Sequence, residues 1–191
     1  MKYLDARAYA LQRLQSELSS DLYYHGAHHT IDVCQATDKL ASAEGIKGKD
    51  LILLQTAAIF HDIGFVEQYH RHEIIGCDIV ERILPQFEYT GTEVKIIQHI
   101  IQATQIPQRP QNLLQEVMCD ADLDYLGRDD FYEIADTLRQ EWEAYSILDS
   151  TTEWCALQVE FLEQHCYFTH TSQCKRGSQK KKHLSALKKL L

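Results

Sequence analysis

Three short stretches of the chain concentrate histidine and aspartate, side chains that bind metal ions and transfer protons. They are "YYHGAHHT" with His25, His28 and His29, the pair His61-Asp62 within "TAAIFHDIGF", and "CDADLDYLG" with Asp120, Asp122 and Asp124. Two imidazoles and two carboxylates from these stretches would form a mixed nitrogen and oxygen ligand set, which suits Mn²⁺, Fe²⁺, Co²⁺, Ni²⁺, Zn²⁺ or Mg²⁺. The residue types therefore predict a site for one divalent ion.

The pair His61-Asp62 is the most informative of the three, because it follows the apolar run "LILLQTAAIF". Neighbouring helical residues point about 100° apart, so both side chains can reach one ion whose ligands lie about 90° apart. A carboxylate buried beside an apolar helix is costly without a partner, and no lysine or arginine stands nearby in the sequence. For Asp120 alone, helix capping is the simpler explanation.

Helices must position these three stretches, because apolar residues recur with helical spacing along the chain. No segment alternates apolar and polar residues with period two, and the chain has only three prolines and eight glycines. Asp50 is predicted to cap the third helix. The fold class predicted is all-α, with residues 1–191 forming a single domain of eight or nine helices. The predicted helices are 2–18, 30–44, 51–60, 71–84, 92–104, 112–127, 129–142, 151–166 and 172–190.

The bulk composition excludes several classes of protein. A hydrophobic content of 45% with 25% charged residues is typical of a globular domain. No apolar run approaches the roughly 20 residues of a membrane span, and the first residues lack the apolar core of a signal peptide, so a cytoplasmic protein is expected. The net charge of −9 argues against nucleic acid as a partner. The six cysteines are expected to be reduced thiols.

The basic C-terminal segment departs from this acidic background. Its leucines recur at nearly helical spacing, which predicts a helix from about Ser172 that docks on the body through Leu184 and Leu187. Most of its lysines are then expected to be solvated. The oligomeric state stays open, with a homodimer among the options.

The order of the three clusters, a histidine, then His-Asp, then an aspartate, resembles the HD-domain superfamily of metal-dependent phosphohydrolases. It is similar in particular to a group of predicted HD phosphohydrolases with a "DADLxxLG" element, which reads "DADLDYLG" here. The resemblance covers about residues 22–127 by motif and continues more weakly through "LRQEW" and "FLEQHCYFT". It implies an HD-type helical bundle, with helices of 128–191 packed on a motif core of 22–127.

The resemblance also implies which residues bind the metal. His29 is preferred to His28 because "YHGAHHTIDV" is similar to the family pattern Tyr-His-Asn-x-x-His, and Asp122 is preferred to Asp120 because the last ligand follows an alanine. The implied ligands are His29, His61, Asp62 and Asp122.

A second metal with His72 and His99 as ligands is not expected. Thr104 stands where bimetallic relatives often have a ligand.

Catalytic roles follow from the same resemblance. Asp62 would also orient the nucleophilic water, Glu73 is the candidate general base, and His25 would protonate the leaving oxygen or bind phosphate. The candidate phosphate ligands are cationic side chains, and the alternative for each is an ordinary surface charge without a binding role. They are Arg71, Lys95, Arg128, Arg176 and Lys180.

The function predicted is a phosphomonoesterase that acts on a nucleotide or a small phosphorylated metabolite. The alternatives are a phosphodiesterase of the cyclic-nucleotide type and a non-catalytic, metal-binding sensor or scaffold. Hydrolysis of (p)ppGpp is disfavoured because Phe65-Val66 stands where the enzymes for that reaction have Glu-Asp. A di-iron oxygenase would need additional histidine ligands.

Overall fold

A computed structural model describes residues 1–148 and 151–191 of the chain. The described residues form α-helices joined by loops and short 3₁₀ helices, with no strand among them, which confirms the predicted all-α class. Nine α-helices are described: α1 Tyr3–Glu17, α2 Ala27–Ala43, α3 Gly48–Phe60, α4 His72–Ile83, α5 Gly91–Gln102, α6 Leu113–Asp122, α7 Phe131–Ala144, α8 Thr151–Gln164 and α9 His170–Leu187. Three 3₁₀ helices span Ile63–Val66, Leu84–Phe87 and Asp124–Gly127.

Helix α3 lies at the centre of the larger hydrophobic core. It contacts α1, α2, α5 and α6, and its apolar residues from Leu53 to Phe60 are almost completely buried. A helix that is apolar nearly all round must be surrounded by other elements. This central position fixes the end of α3, and therefore His61 and Asp62, deep in the molecule.

The segment after α3 passes very close to the start of α4 at Gly64. A Cβ built at Gly64 would lie 1.9 Å from the carbonyl oxygen of His72. Only glycine allows this approach. The close approach places the first turn of α4, with His72 and Glu73, next to Asp62.

Helix α9 packs on a second hydrophobic core that includes residues of α7, α8 and the Asp124–Gly127 turn. Leu187 is buried and Leu184 is partly buried there, as predicted for the basic segment. A Cβ at Gly127 would lie 2.5 Å from the carbonyl oxygen of Arg176, so this glycine lets the α9 backbone come close. Lys180 differs from the expected solvated lysines, because it is buried and donates to the carbonyl oxygen of His165.

Two local predictions are wrong. Asp50 does not cap α3, because the helix begins at Gly48 with Lys47 as N-cap, which places Asp50 in the first turn. The helix predicted over 112–127 ends at Asp122 and continues as a separate 3₁₀ turn. The aspartate cluster therefore lies at the C-terminal end of a helix. Within the described part of the chain, no helix is both long and apolar enough to cross a membrane.

Candidate active site

Four side chains from three helices converge at the end of α3, and they are called the His/Asp cluster below. His29 lies near the start of α2, His61 and Asp62 follow α3, and Asp122 is the last residue of α6. Asp62 Oδ2 lies 3.1 Å from His61 Nε2 and 3.5 Å from His29 Nε2, while Asp122 Oδ1 lies 3.2 Å from His29 Nε2 and 3.5 Å from His61 Nε2. The structure thus brings together all four residues that the sequence singled out as ligands.

The donor atoms of the His/Asp cluster fit a metal ion. His61 Nδ1 donates to the carbonyl oxygen of Ala58, which leaves Nε2 with a free lone pair. That Nε2 and Asp62 Oδ2 are both buried and have no hydrogen-bond partner among the described residues. Ligand atoms bound at about 2.1 Å and separated by 90–109° lie roughly 3.0–3.4 Å apart. The observed spacings of 3.1–3.5 Å are close to this range, and a cation would satisfy both orphaned atoms.

The carboxylates of the cluster are held in their charged form. Burial by itself would raise the pKa of Asp62, but the neighbouring imidazole of His61 outweighs burial and holds that pKa below the ordinary range. Asp122 has the same opposition between burial and its histidine neighbours His29 and His61, with a resulting pKa of about 2. At neutral pH the cluster therefore presents two ionised carboxylates to a cation.

His25 stands beside the cluster and is oriented by a residue that the sequence did not single out, Glu141 on α7. The fully buried Glu141 accepts from His25 Nδ1 through Oε1 and from the backbone N–H groups of Tyr24 and His25 through Oε2. Tyr69 donates its hydroxyl to the same Oε1 at 3.1 Å. Burial lowers the pKa of His25, but Glu141 and the cluster carboxylates together raise it by more than burial lowers it. The net pKa of His25 therefore lies above the ordinary value.

An aromatic stack holds the imidazole rings of His72 and His25 in place near Asp62. The Phe65 ring stacks on His72 at 4.0 Å between centroids with an interplanar angle of 17°, and on His25 at 4.4 Å with an angle of 28°. His72 Nε2 is 3.5 Å from Asp62 Oδ1 and 3.6 Å from Glu73 Oε1. Glu73 is thus connected to the cluster through His72. His99, the other histidine considered for a second metal, is exposed on α5.

The three aspartates of "DADLDYLG" have three separate roles. Asp120 is buried and accepts from the backbone N–H groups of Phe168 and Thr169, so it anchors the start of α9 rather than capping its own helix. Asp122 faces the His/Asp cluster. Asp124 pairs with Arg176 on α9 through two hydrogen bonds. Helical geometry separates Asp120 from Asp122, because side chains two positions apart point about 200° from each other, whereas Asp124 lies in the 3₁₀ turn that follows α6.

A cavity of about 330 Å³ opens on the cluster. The catalytic candidates His25, Asp62 and Glu73 line it together with His72 and Asp122. Apolar side chains of α7 and α8 complete its walls. The predicted catalytic residues and the candidate ligands Asp62 and Asp122 therefore share one solvent-accessible space of the size that binds small molecules, whereas His29 and His61 are not part of its lining.

The five cations proposed as phosphate ligands do not line this cavity. Arg128 is paired with Asp32 and Asp130, and Arg176 with Asp124, while Lys180 is held by His165. These contacts leave the prediction without support at those three positions. Lys95 and Arg71 are exposed, and only Arg71 adjoins a cavity residue, His72.

The comparisons with known proteins agree with this geometry. A family model described as HD domain matches residues 26–126, which is more than half of the chain. The chain belongs to the HD-domain family. Membership implies a family of metal-dependent phosphohydrolases, some of whose members are non-catalytic. Comparison with curated proteins and with solved structures finds no match.

The HD-domain match encloses the complete His/Asp cluster but stops before α7. Three of its members, His29, His61 and Asp122, offer donor atoms that all lie within 4.8 Å of one another. This group of three is compatible with metal binding. Glu141 lies outside the matched residues and 116 positions from His25. The only sequence signal for it was the short element "LRQEW", which has no chemistry of its own.

Proposed function

We propose that this HD-domain protein is a metal-dependent phosphohydrolase that cleaves a phosphate monoester of a nucleotide or a small phosphorylated metabolite. The observation that carries the proposal is the pair of buried, unpartnered donor atoms, His61 Nε2 and Asp62 Oδ2, at a substrate-sized cavity that Asp62 lines. Leaving such atoms without a partner is unfavourable. One divalent ion held by His29, His61, Asp62 and Asp122 removes that penalty.

A cation at this site supplies positive charge that polarises a phosphoryl oxygen and lowers the pKa of water. The water oxygen forms a bond to phosphorus as the bond from phosphorus to the ester oxygen breaks. Asp62 orients the water, and Glu73 accepts its proton. His25 delivers a proton from Nε2 to the departing alkoxide, so the products are an alcohol and inorganic phosphate.

The first test is metal analysis of the purified protein followed by a phosphate-release assay with Mn²⁺, Co²⁺, Zn²⁺, Ni²⁺, Fe²⁺ and Mg²⁺. p-Nitrophenyl phosphate and bis(p-nitrophenyl) phosphate form a matched pair, since they share the leaving group and differ only as monoester and diester. We expect metal-dependent turnover of the monoester. Faster turnover of the diester would favour the phosphodiesterase alternative. Bound metal without turnover of either ester would favour a sensor or scaffold.

Glu141 is expected to act as a positioning residue for His25. In Glu141→Gln the amide nitrogen would face His25 Nδ1, so the ring loses its anionic partner, the pKa of His25 falls, and less of the proton-donating imidazolium is present at neutral pH. We expect kcat to fall about 10²-fold or more, with little change in KM and in bound metal. Tyr69→Phe removes one donor but keeps the charge, and a loss under about tenfold is expected.

The matched control is Glu143→Gln, an exposed glutamate on the same helix that pairs with Arg139. It is expected to leave kcat unchanged. A folded Glu141→Gln protein with unaltered kcat would contradict the role of Glu141, and a parallel loss of bound metal would indicate a structural role instead.

A further inference from the structure

The cavity that opens on the His/Asp cluster is apolar outside the catalytic residues. Helix α7 contributes Leu138 and Trp142, and helix α8 contributes Trp154, Leu157 and Phe161. Besides the two indole groups, five uncharged residues with hydrogen-bonding side chains interrupt the described part of this surface: Tyr24, Thr104, Tyr125, Gln158 and Gln164. A polyol or a sugar would leave most of its hydroxyl groups without partners here, and each unpaired group is unfavourable.

Cationic side chains are absent from the described lining of the cavity. The ionisable groups there are carboxylates and histidines, with Glu160 adding a further negative charge on α8. A phosphate away from a metal is normally bound by arginine or lysine, and a buried anion without such a partner is strongly disfavoured. Arg71 and Arg109, which are exposed and close to lining residues in the sequence, lie outside the lining, and Arg139, which follows the lining residue Leu138, is paired with Asp136 and Glu143. The cavity thus suits a single phosphoryl group, at the metal.

We propose that the substrate is a monophosphate ester of an uncharged, largely apolar alcohol, whose carbon skeleton packs between α7 and α8. This inference rests on the proposed function for the position of the phosphoryl group. It narrows the substrate class by charge, which excludes nucleoside di- and triphosphates and bisphosphorylated metabolites. It also narrows the class by polarity, which disfavours sugar phosphates. The volume of about 330 Å³ is near the lower end of ligand pockets, so the alcohol is small.

Binding provides a test that does not require turnover. The chain contains two tryptophans, and both line the cavity, so intrinsic fluorescence reports its occupancy. The probes are ethylphosphonate, butylphosphonate and hexylphosphonate, titrated with and without Mg²⁺ and followed by fluorescence and calorimetry. Each added methylene is expected to tighten binding about fourfold. No increase along the series, or no signal by either method at millimolar hexylphosphonate, would overturn the proposal.

Hexane-1,6-bisphosphonate is the matched probe for charge, because it keeps the six-carbon chain and adds a second anion. We expect it to bind at least tenfold more weakly than hexylphosphonate. Equal or tighter binding would mean that Arg71 or Arg109 reaches into the cavity, and the proposal would be wrong.

Leu157→Ser tests the apolar wall at a position outside the catalytic machinery. Leu157 is 36% exposed, so the substitution is expected to leave folding intact, and Leu113, which is 40% exposed and outside this cavity, gives the control Leu113→Ser. The preference for hexyl- over ethylphosphonate should fall at least threefold in Leu157→Ser and remain unchanged in Leu113→Ser. Equal preferences in both variants would exclude this wall as the alkyl site.

Turnover separates this inference from the proposed function. Phosphate release from hexyl phosphate is expected to exceed release from AMP and glycerol 3-phosphate in kcat/KM, with ATP the poorest substrate. Faster hydrolysis of AMP or ATP would overturn the apolar substrate while keeping the phosphohydrolase. Chain-length-dependent binding without turnover of any ester would keep the apolar ligand while refuting the proposed function.

Discussion

Asp62→Ala is expected to abolish metal-dependent phosphate release, with a loss of about 10⁴-fold or down to the level of the metal-free protein. Asp62 contributes one of the two orphaned donor atoms and lies within 3.5 Å of three histidines. Its removal takes one ligand from the ion and the water-orienting oxygen from the reaction. Initial rates at saturating metal, together with metal content after dialysis, measure both effects.

The same substitution should remove the stabilisation that the metal gives to the folded protein. A ligand at about 100 times its Kd stabilises the native state by about 2.7 kcal/mol, which for a chain of this length corresponds to a rise in Tm of roughly 5–11 °C. We expect this rise in the wild type and its loss in Asp62→Ala.

Asp129→Ala is the control for both measurements, because Asp129 is exposed and outside the cavity. It should keep the activity and the metal-induced rise in Tm. Unchanged activity of Asp62→Ala would end the catalytic assignment. A lower Tm of its metal-free form would show that the cluster also stabilises the apoprotein.

Gly64→Ala is expected to destabilise the protein by about 3 kcal/mol or more. The added methyl would lie 1.9 Å from the His72 carbonyl oxygen and 2.9 Å from the backbone nitrogen of Gly76, so backbone rather than a flexible side chain must move. The start of α4 would be displaced, and His72 and Glu73 with it. Chemical denaturation measures the loss, and any folded fraction should have a lower kcat.

Gly76→Ala is the matched control, because Gly76 faces Gly64 from α4. A methyl at Gly76 meets its nearest neighbours at 3.6–3.7 Å, which is ordinary van der Waals contact. Alanine is the better helix former by up to about 1 kcal/mol, so Gly76→Ala should be neutral or stabilising. Equal losses of stability for the two variants would contradict the proposed close approach at Gly64.

Local sequence patterns predicted the helices and the order of the candidate ligands. The apolar periodicity of segments such as α3 and α5 depends only on residues within a few turns, and it yielded the all-α class and most helix ends to within three residues. The succession of His29, His61-Asp62 and Asp122 indicated the HD-domain family before any contact was known. Capping and turn details were less predictable, as Asp50 and the break after Asp122 show.

Tertiary packing decided which of these side chains lie in the same site and which residues of other helices they contact. The contact between His25 and Glu141 joins residues 116 positions apart, and no periodic pattern carries information over that distance. The different fates of Asp120 and Asp124 depend on where α9 docks, which in turn requires the close approach at Gly127. The sequence alone determined the family and the candidate ligand types, whereas helix packing determined the orientation of His25 and the apolar lining of the cavity, which is free of cations among the described residues. The physical reason is that helix propensity is local, while burial and pairing depend on which helix faces meet.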